Sequence, residues 1–468
     1  MSNINIADLT KRKSDIMLRS VGLDYSIYEY DGIGFDYEGL MKASGYGFED
    51  IKKIQNDSMV GNTPLFELKN ITQYARKLSK PGYGAKIYLK DEASNLSGSF
   101  KARRAAISVH KAKELGYKGV IAATSGNYGA AVAALAAKHG LKCIIVQECF
   151  DSNNMAQPEI LEKARACESY GAEVIQLSVG PELFYTFLNL LDETGYFNAS
   201  LYSPYGVMGI ETLGHEIAEE MMHLENKHPE VVIATNAGGG NLTGTARGLK
   251  RAGADSLIYG ASVNLEGLHM ASDTDFNRKS FTTGHTGFAM PFATNPDRSD
   301  VPRSAARPLR YMDRFFTINQ GSVFYITEAL AVLEGLERGP AGNTSLAVAF
   351  DLAQSMKEDE IIVVQESEYT GAGKHHQPQL SFAKKNNVEL LFGNPLEETP
   401  GKNIIFPKSG QDIRSVEVPV DRFRKSYLKR VMNNDLSQQD IDFLKYELNI
   451  DEKKIKVLME ALRDERKN

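Results

Sequence analysis

Short apolar runs that recur between helix-like segments constrain this chain more than any other feature. Val231-Val232-Ile233 and Ile361-Ile362-Val363-Val364 are uniformly apolar rather than alternating, the pattern of strands covered on both faces. Lys118 to Ala123 reads as a strand, Gly129 to His139 as an Ala-rich helix and Lys142 to Gln147 as a strand. Glu159 to Tyr170 reads as a helix, Glu173 to Leu177 as a strand, and Pro181 to Leu191 as a helix opened by proline. The rhythm resumes with Val231 to Thr235, Asn241 to Arg251, Leu257 to Val263, Ser345 to Met356 and Ile361 to Val364. Strand, helix and strand in repetition specify parallel sheets with helices on both faces, so the fold class is α/β.

At 468 residues the chain is long enough for two or more domains. A net charge of −6 argues against nucleic acid or an anionic membrane as the main partner. Cys143, Cys149 and Cys167 are too few for a disulfide framework. No run approaches the roughly 18 apolar residues of a membrane span. The start, MSNINIADLTKRK, shows no secretory signal, so a cytoplasmic location is expected, and no metal site. Residues 1–60 read as a polar helical extension wrapping the body with Tyr25, Tyr28, Tyr30, Phe35 and Tyr37. Residues 266–316 lack periodicity but carry Phe281 to Gly287, with His285, and Arg303, Arg307, Arg310 and Arg314, as a functional loop would. From about residue 400 a helical tail is expected. Ser437 and Asp440 form a capping box, with Ile441, Leu444 and Leu448 on one stripe and Ile455, Met459 and Leu462 on the next. Such a tail serves packing or docks another subunit.

The chemistry centres on Lys101, in Leu96-Ser97-Gly98-Ser99-Phe100-Lys101-Ala102-Arg103. A lysine that closes a Gly-Ser-Phe turn and opens a helix is held in place, and can condense with an aldehyde once its ammonium loses a proton. In isolation it reads equally as a solvated helix-start lysine; three other segments change that. Gly61-Asn62-Thr63-Pro64-Leu65 lies about forty residues upstream and alone is an ordinary turn. Thr124-Ser125-Gly126-Asn127-Tyr128-Gly129 links a strand to a helix. Its small side chains admit a ligand, its helix-start amides attract a carboxylate, and Asn127 offers an amide to a hydroxyl; without a ligand it is simply a capping loop. Asn236-Ala237-Gly238-Gly239-Gly240-Asn241 sits in the same position after another strand, where successive glycines expose amides to a phosphate. It is neither a Walker loop, lacking Gly-Lys-Ser/Thr, nor a dinucleotide fingerprint.

In this order the segments resemble the fold-type II pyridoxal-phosphate enzymes, the group of cysteine synthase, threonine synthase and the tryptophan synthase β chain. The resemblance implies two parallel-sheet domains with helices on both faces, plus helical terminal extensions. The expected division is 1–60, a large cofactor domain from 61–100 and 206–400, a small domain at 101–205, and a tail at 401–468. It implies that Lys101 bonds pyridoxal 5′-phosphate and that Asn127 meets the cofactor hydroxyl. Thr124, Ser125, Gly126, Asn127 and Tyr128 are implied to bind the substrate carboxylate, and Ala237, Gly238, Gly239, Gly240 and Asn241 the phosphate. Ser367 or Thr370 would face the pyridine nitrogen, with Glu366 as the alternative; a hydroxyl leaves that nitrogen neutral, whereas a carboxylate would protonate it. Ala102 stands where threonine synthases have Asp.

Over nearly the whole length, Ile121 to Gly129, Gly180 to Tyr185, Asn277 to Pro291 and Gln365 to Lys374 are similar to the 2-amino-4-oxopentanoate thiolase β-subunit family of ornithine degradation. That similarity implies cleavage of the amino-keto acid with coenzyme A to alanine and acetyl-CoA, a small α subunit and an oligomer. A β-eliminating or β-replacing enzyme and a non-catalytic scaffold are the alternatives. The acetyl group would pass to coenzyme A directly or through a cysteine. Cys149, read as following its strand, is the candidate, although inert burial is the simpler reading for all three cysteines. His285 would assist a thiol or bond within its loop. Arg303, Arg307 and Arg310 would meet coenzyme A phosphates or pair with Asp297, Asp300 and Asp313.

Overall fold

The computed structural model describes residues 6–124, 126–150, 154–178, 182–265, 303–369, 376–432 and 436–465. Its strands, in chain order, are β1 Leu65–Glu67, β2 Lys86–Asp91, β3 Gly119–Thr124, β4 Lys142–Phe150, β5 Glu173–Ser178, β6 Phe197–Asn198 and β7 Val231–Thr235. They continue with β8 Leu257–Val263, β9 Arg314–Ile318, β10 Ile361–Glu366, β11 Glu389–Gly393, β12 Asn403–Pro407 and β13 Val416–Glu417. Among the described residues, a seven-stranded sheet runs β1-β2-β10-β7-β8-β9-β13 and a four-stranded sheet β5-β4-β3-β6. The larger sheet is parallel except at its edges, where β1 and β13 run antiparallel; the smaller is parallel throughout. The α/β expectation therefore holds.

The apolar strands explain the layering. In β10, Ile361 and Val363 enter one core while Ile362 and Val364 enter another on the opposite face. A strand buried on both sides has no need of alternation. No helix among the described residues is long and apolar enough to cross a membrane.

Three expectations need correction. Strand β4 continues to Phe150, so Cys149 lies inside the strand and not beyond it. Its side chain packs with Ile160 and Ala164. The chain after 400 is not helical at first: β12 pairs with β11 and β13 with β9 before helix Val420–Val431 begins. Ile404 and Ile405 are buried and Phe406 stacks on Phe324, a burial that favours a strand over the helical continuation. The third concerns the arginines of the irregular region. Arg307 and Arg310 are buried and both pair with Glu447, Arg310 at 2.7 Å. Their guanidinium groups lie 4.3 and 4.8 Å from the Tyr37 ring centre. The nearer acid, Asp313, instead accepts the Ile258 amide at 2.7 Å, and Asp297 and Asp300 lie outside the described residues. These arginines bind the N-terminal aromatics to the tail. Arg303 stands 5.6 Å over the Phe35 ring.

The tail's capping box forms as expected: Ser437 N donates to Asp440 at 2.9 Å and Asp440 N to the Ser437 hydroxyl at 3.2 Å. Asp440 also accepts the Ile33 amide at 2.8 Å, another tie between the termini.

One buried ionic cluster sets the position of helix Lys101–Glu114. Arg103 reaches Glu92 and Glu216, each at 2.7 Å, and Thr212 at 2.9 Å. Lys90 joins Glu216 at 2.9 Å and donates to the Thr63 carbonyl at 2.7 Å. The Thr63 hydroxyl donates to Glu92 at 2.6 Å, Asn62 N to Glu216 at 3.0 Å and Gly61 N to Asn95 at 2.8 Å. Gly61 has φ of 87°, and a Cβ there would stand 3.2 Å from both Arg103 and Glu216. The Gly61-to-Leu65 motif is thus a brace for the lysine helix.

Burial would raise the Glu216 carboxyl, but Arg103 outweighs it and holds the group at about 2 against an ordinary 4.5. A carboxylate with a depressed native pKa stabilises the fold fully above its unfolded value, and loses that contribution as the pH falls through the native one. Denaturation midpoints should therefore drop between about pH 4.5 and 2, and Glu216→Gln should flatten that slope. Arg103→Met, which leaves the buried Glu92 carboxylate without a cation, should cost about 3–5 kcal/mol in urea unfolding.

Candidate active site

The turn before Lys101 has an unusual backbone. Ser97 has φ of 65° and Gly98 of 72°, two left-handed residues in succession, a conformation that costs a non-glycine residue about 1–2 kcal/mol. It is held by Gly98 N to Asn95 O at 2.9 Å, and by two bonds to the chain leaving β10: Phe100 N to Ser367 O at 3.1 Å and Tyr369 N to Gly98 O at 2.7 Å. The lysine and the end of β10 are therefore stitched together. Lys101 keeps partial access, as a residue facing a cleft must, and its Nζ lies 4.1 Å from the Phe100 ring centre. Burial, then the charges of Arg104 and Lys163, depress its ammonium well below the ordinary range. That direction favours the free amine, the form that condenses with aldehydes and accepts protons.

The turn after β3 lies opposite. Ser125 is outside the described residues. The Thr124 hydroxyl accepts Gly126 N at 2.9 Å and Gly129 N at 3.2 Å, and donates to Gly126 O at 3.2 Å. That hydroxyl shapes the turn in which the substrate-binding expectation placed it. Tyr128 is buried in the core with the alanines of the lysine helix. Asn127 opens helix Asn127–His139 and donates to Glu368 at 3.3 Å, while its buried carbonyl oxygen has no partner. Against Gly126 lies Lys163, whose Nζ would be 3.3 Å from a Cβ there. Burial would lower this ammonium, but Glu159, with which it pairs, and Glu368 hold it above its ordinary value.

The glycine loop follows β7. Helix Gly240–Arg251 has Gly239 at its N-cap with φ of 81° and no side chain capping it, which leaves the first-turn amides without an intrahelical partner, as at any helix start. Space forbids side chains here. A Cβ on Gly238 would meet the Tyr202 hydroxyl at 2.6 Å, on Gly239 Pro308 at 2.5 Å, and on Gly240 Arg104 at 2.5 Å. Ala237 completes the loop. Asn236 and Asn241 are only 1% and 6% exposed, yet both ends of each amide lack a partner. Idle buried amides cost about 1–3 kcal/mol each, and a polar ligand in the loop relieves that cost.

At the end of β10, Glu366 is fully buried and neither carboxylate oxygen makes a hydrogen bond. It fills the space a Cβ on Gly342 would need. Burial, then Glu368 and Asp91, raise it well above its ordinary value. That direction favours its protonated form. Ser367 is buried beside the lysine turn. Thr370, His285 and residues 277–291 fall outside the described residues. All three cysteines are buried and free. Burial pushes the Cys149 and Cys167 thiols up to about 12 and Cys143 higher still, so none presents a thiolate near neutrality.

Residues 57–367 match the family model described as pyridoxal-phosphate dependent enzyme. The chain belongs to this family. It is 61% identical over 465 residues to the 2-amino-4-ketopentanoate thiolase beta subunit of Acetoanaerobium sticklandii, covering 98% of this chain and 99% of that one. A second protein of that name, from an unknown prokaryotic organism, is 60% identical over 92% of this chain and 93% of its own length. The crystal structure of a hydrogen sulfide-producing enzyme from Fusobacterium nucleatum shares the fold alone, with a TM-score of 0.53 and 21% identity over 68% of this chain and 96% of its own.

The residues present fit the family's cofactor: a lysine whose ammonium is depressed, a glycine loop too tight for side chains and idle amides at Asn127, Asn236 and Asn241. The sequence reading missed Asn236, Lys163, Glu159, Glu368, Tyr202 and Arg104. Of these Asn236 and Glu368 lie inside motifs that the sequence singles out; the rest come from other elements. Lys101→Ala should abolish the borohydride-fixed cofactor adduct on the peptide spanning residue 101, read by mass spectrometry. Gly239→Asp, placing bulk against Pro308 and charge at the loop, should weaken cofactor retention at least tenfold in equilibrium dialysis.

Proposed function

We propose that this chain is the cofactor-bearing subunit of an enzyme that cleaves 2-amino-4-oxopentanoate with coenzyme A to alanine and acetyl-CoA. The observation that carries the reading is end-to-end similarity to thiolase beta subunits, on a site whose lysine has its ammonium depressed. In this reaction the C3–C4 bond breaks, C4 and its methyl group pass to the coenzyme sulfur, and C3 keeps the electron pair and takes a proton. Bound pyridoxal phosphate supplies the electron sink that this pair requires.

The chain's residues do the rest. Lys101 would hold the cofactor and would hold and return protons at the substrate carbons. The Gly126 turn and Asn127 receive the substrate carboxylate, with the Lys163 ammonium behind Gly126 as its counter-charge. Ala237 to Asn241 receive the phosphate. Ser367 or Thr370 would meet the pyridine nitrogen, with Glu366 as the alternative whose carboxyl is raised by burial. With all three thiols buried and protonated, coenzyme A attacks C4 directly without a cysteine carrying the acetyl group.

The relatives' "beta subunit" name supports a partner subunit, which we assign to a small α chain. Purified protein combined with that chain should form acetyl-CoA and alanine in equal amounts, strictly dependent on coenzyme A. Ammonia release or a β-replacement product without coenzyme A would overturn the reading. Cys149→Ala should retain near-normal turnover, measured by thioester formation.

A further inference from the structure

We infer that Arg104 is a cationic ligand for the cofactor phosphate, reaching it beside Gly240; this rests on the reading of residues 237–241 as the phosphate loop. Arg104 follows Lys101 by about one helical turn and is 1% exposed. Its Nε donates to Gly206 O at 3.0 Å and an Nη to Leu201 O. Both acceptors are neutral carbonyls, and among the described residues no carboxylate pairs with it. Adjacent Arg103 sets the contrast, since it is equally buried but joined to Glu92 and Glu216. A buried cation without a counter-ion costs several kcal/mol, and a fold retains one where an anion is to be received.

The position of the guanidinium says which anion. Its three outer atoms lie 2.5 to 2.9 Å from where a Gly240 Cβ would project, so it occupies the side-chain space of the first residue of the glycine-loop helix. Asn241, 6% exposed with both amide ends idle, belongs to the same loop. The hydroxyl of Tyr202 lies beside Gly238. First-turn amides, a planar cation and an idle carboxamide gather at one helix start, and together they suit a tetrahedral phosphate dianion. Helix-end amides alone hold a phosphate with partial charges; Arg104 adds a full one. It also accounts for glycine at 240, where any side chain would displace the guanidinium.

The test compares pyridoxal 5′-phosphate with pyridoxal, which lacks the phosphate, as ligands of the full chain. Binding is followed by absorbance and by the borohydride-fixed adduct. Arg104→Gln should lose at least tenfold in affinity for the phosphorylated form with little change for pyridoxal, and Arg104→Lys, which keeps the charge, should recover part of the loss. An unchanged affinity ratio in Arg104→Gln would overturn the inference. Should that variant fail to fold, phosphorus NMR of the wild-type holoenzyme decides. A bound phosphate fixed as the dianion down to about pH 5 supports the contact, and one titrating near its free value of about 6 refutes it. The parent reading fails separately, if the adduct maps to a peptide without Lys101.

Discussion

The Arg103 cluster is the constraint on which the site depends. Three segments far apart in sequence, Gly61 to Thr63, Lys90 to Glu92 and Glu216, converge on one guanidinium. Each is held against its partners in the interior, so none can shift without uncovering a charge. That rigidity fixes the first turn of the lysine helix, and with it the direction of Lys101. The strained residues Ser97 and Gly98 are tolerable only because both ends of their turn are tied down.

Charge is distributed around this brace with a clear division. Arg103 is neutralised by glutamates and serves the fold. Lys101, on the first turn of the same helix, is governed by burial and two neighbouring cations, so its ammonium is depressed. Lys163 keeps its proton because Glu159 and Glu368 surround it. Desolvation is common to all three, and the presence or absence of a carboxylate decides each outcome. The same logic separates Arg307 and Arg310, spent on Glu447, from Arg104, which pairs with no acid among the described residues.

Much of this was legible locally. Strands β7 and β8 begin and end where the apolar runs do, because a doubly covered strand needs an unbroken apolar stretch. The lysine turn, the turn at Gly126 and the glycine loop were visible because each needs small residues in a row beside the start of a helix. The capping box at Ser437 was visible because its partners are three residues apart. The rest depends on distance: Arg104 and Lys163 carry no local signal, and the partner of Arg307 and Arg310, Glu447, lies far along the chain rather than among the nearby aspartates. The strands β12 and β13 also escaped, since short edge strands take their identity from the partners they pair with.

The sequence by itself determined the layered α/β architecture, the lysine that opens a helix from a tight turn and the glycines that leave room for a ligand, because periodicity and side-chain size act between near neighbours. Only the tertiary structure decided which charges are cancelled, hence which lysine has its ammonium depressed, which arginine pairs with no acid among the described residues and which cysteines are buried. Protonation depends on burial and on groups brought close by folding, and neither is written in the order of residues along the chain.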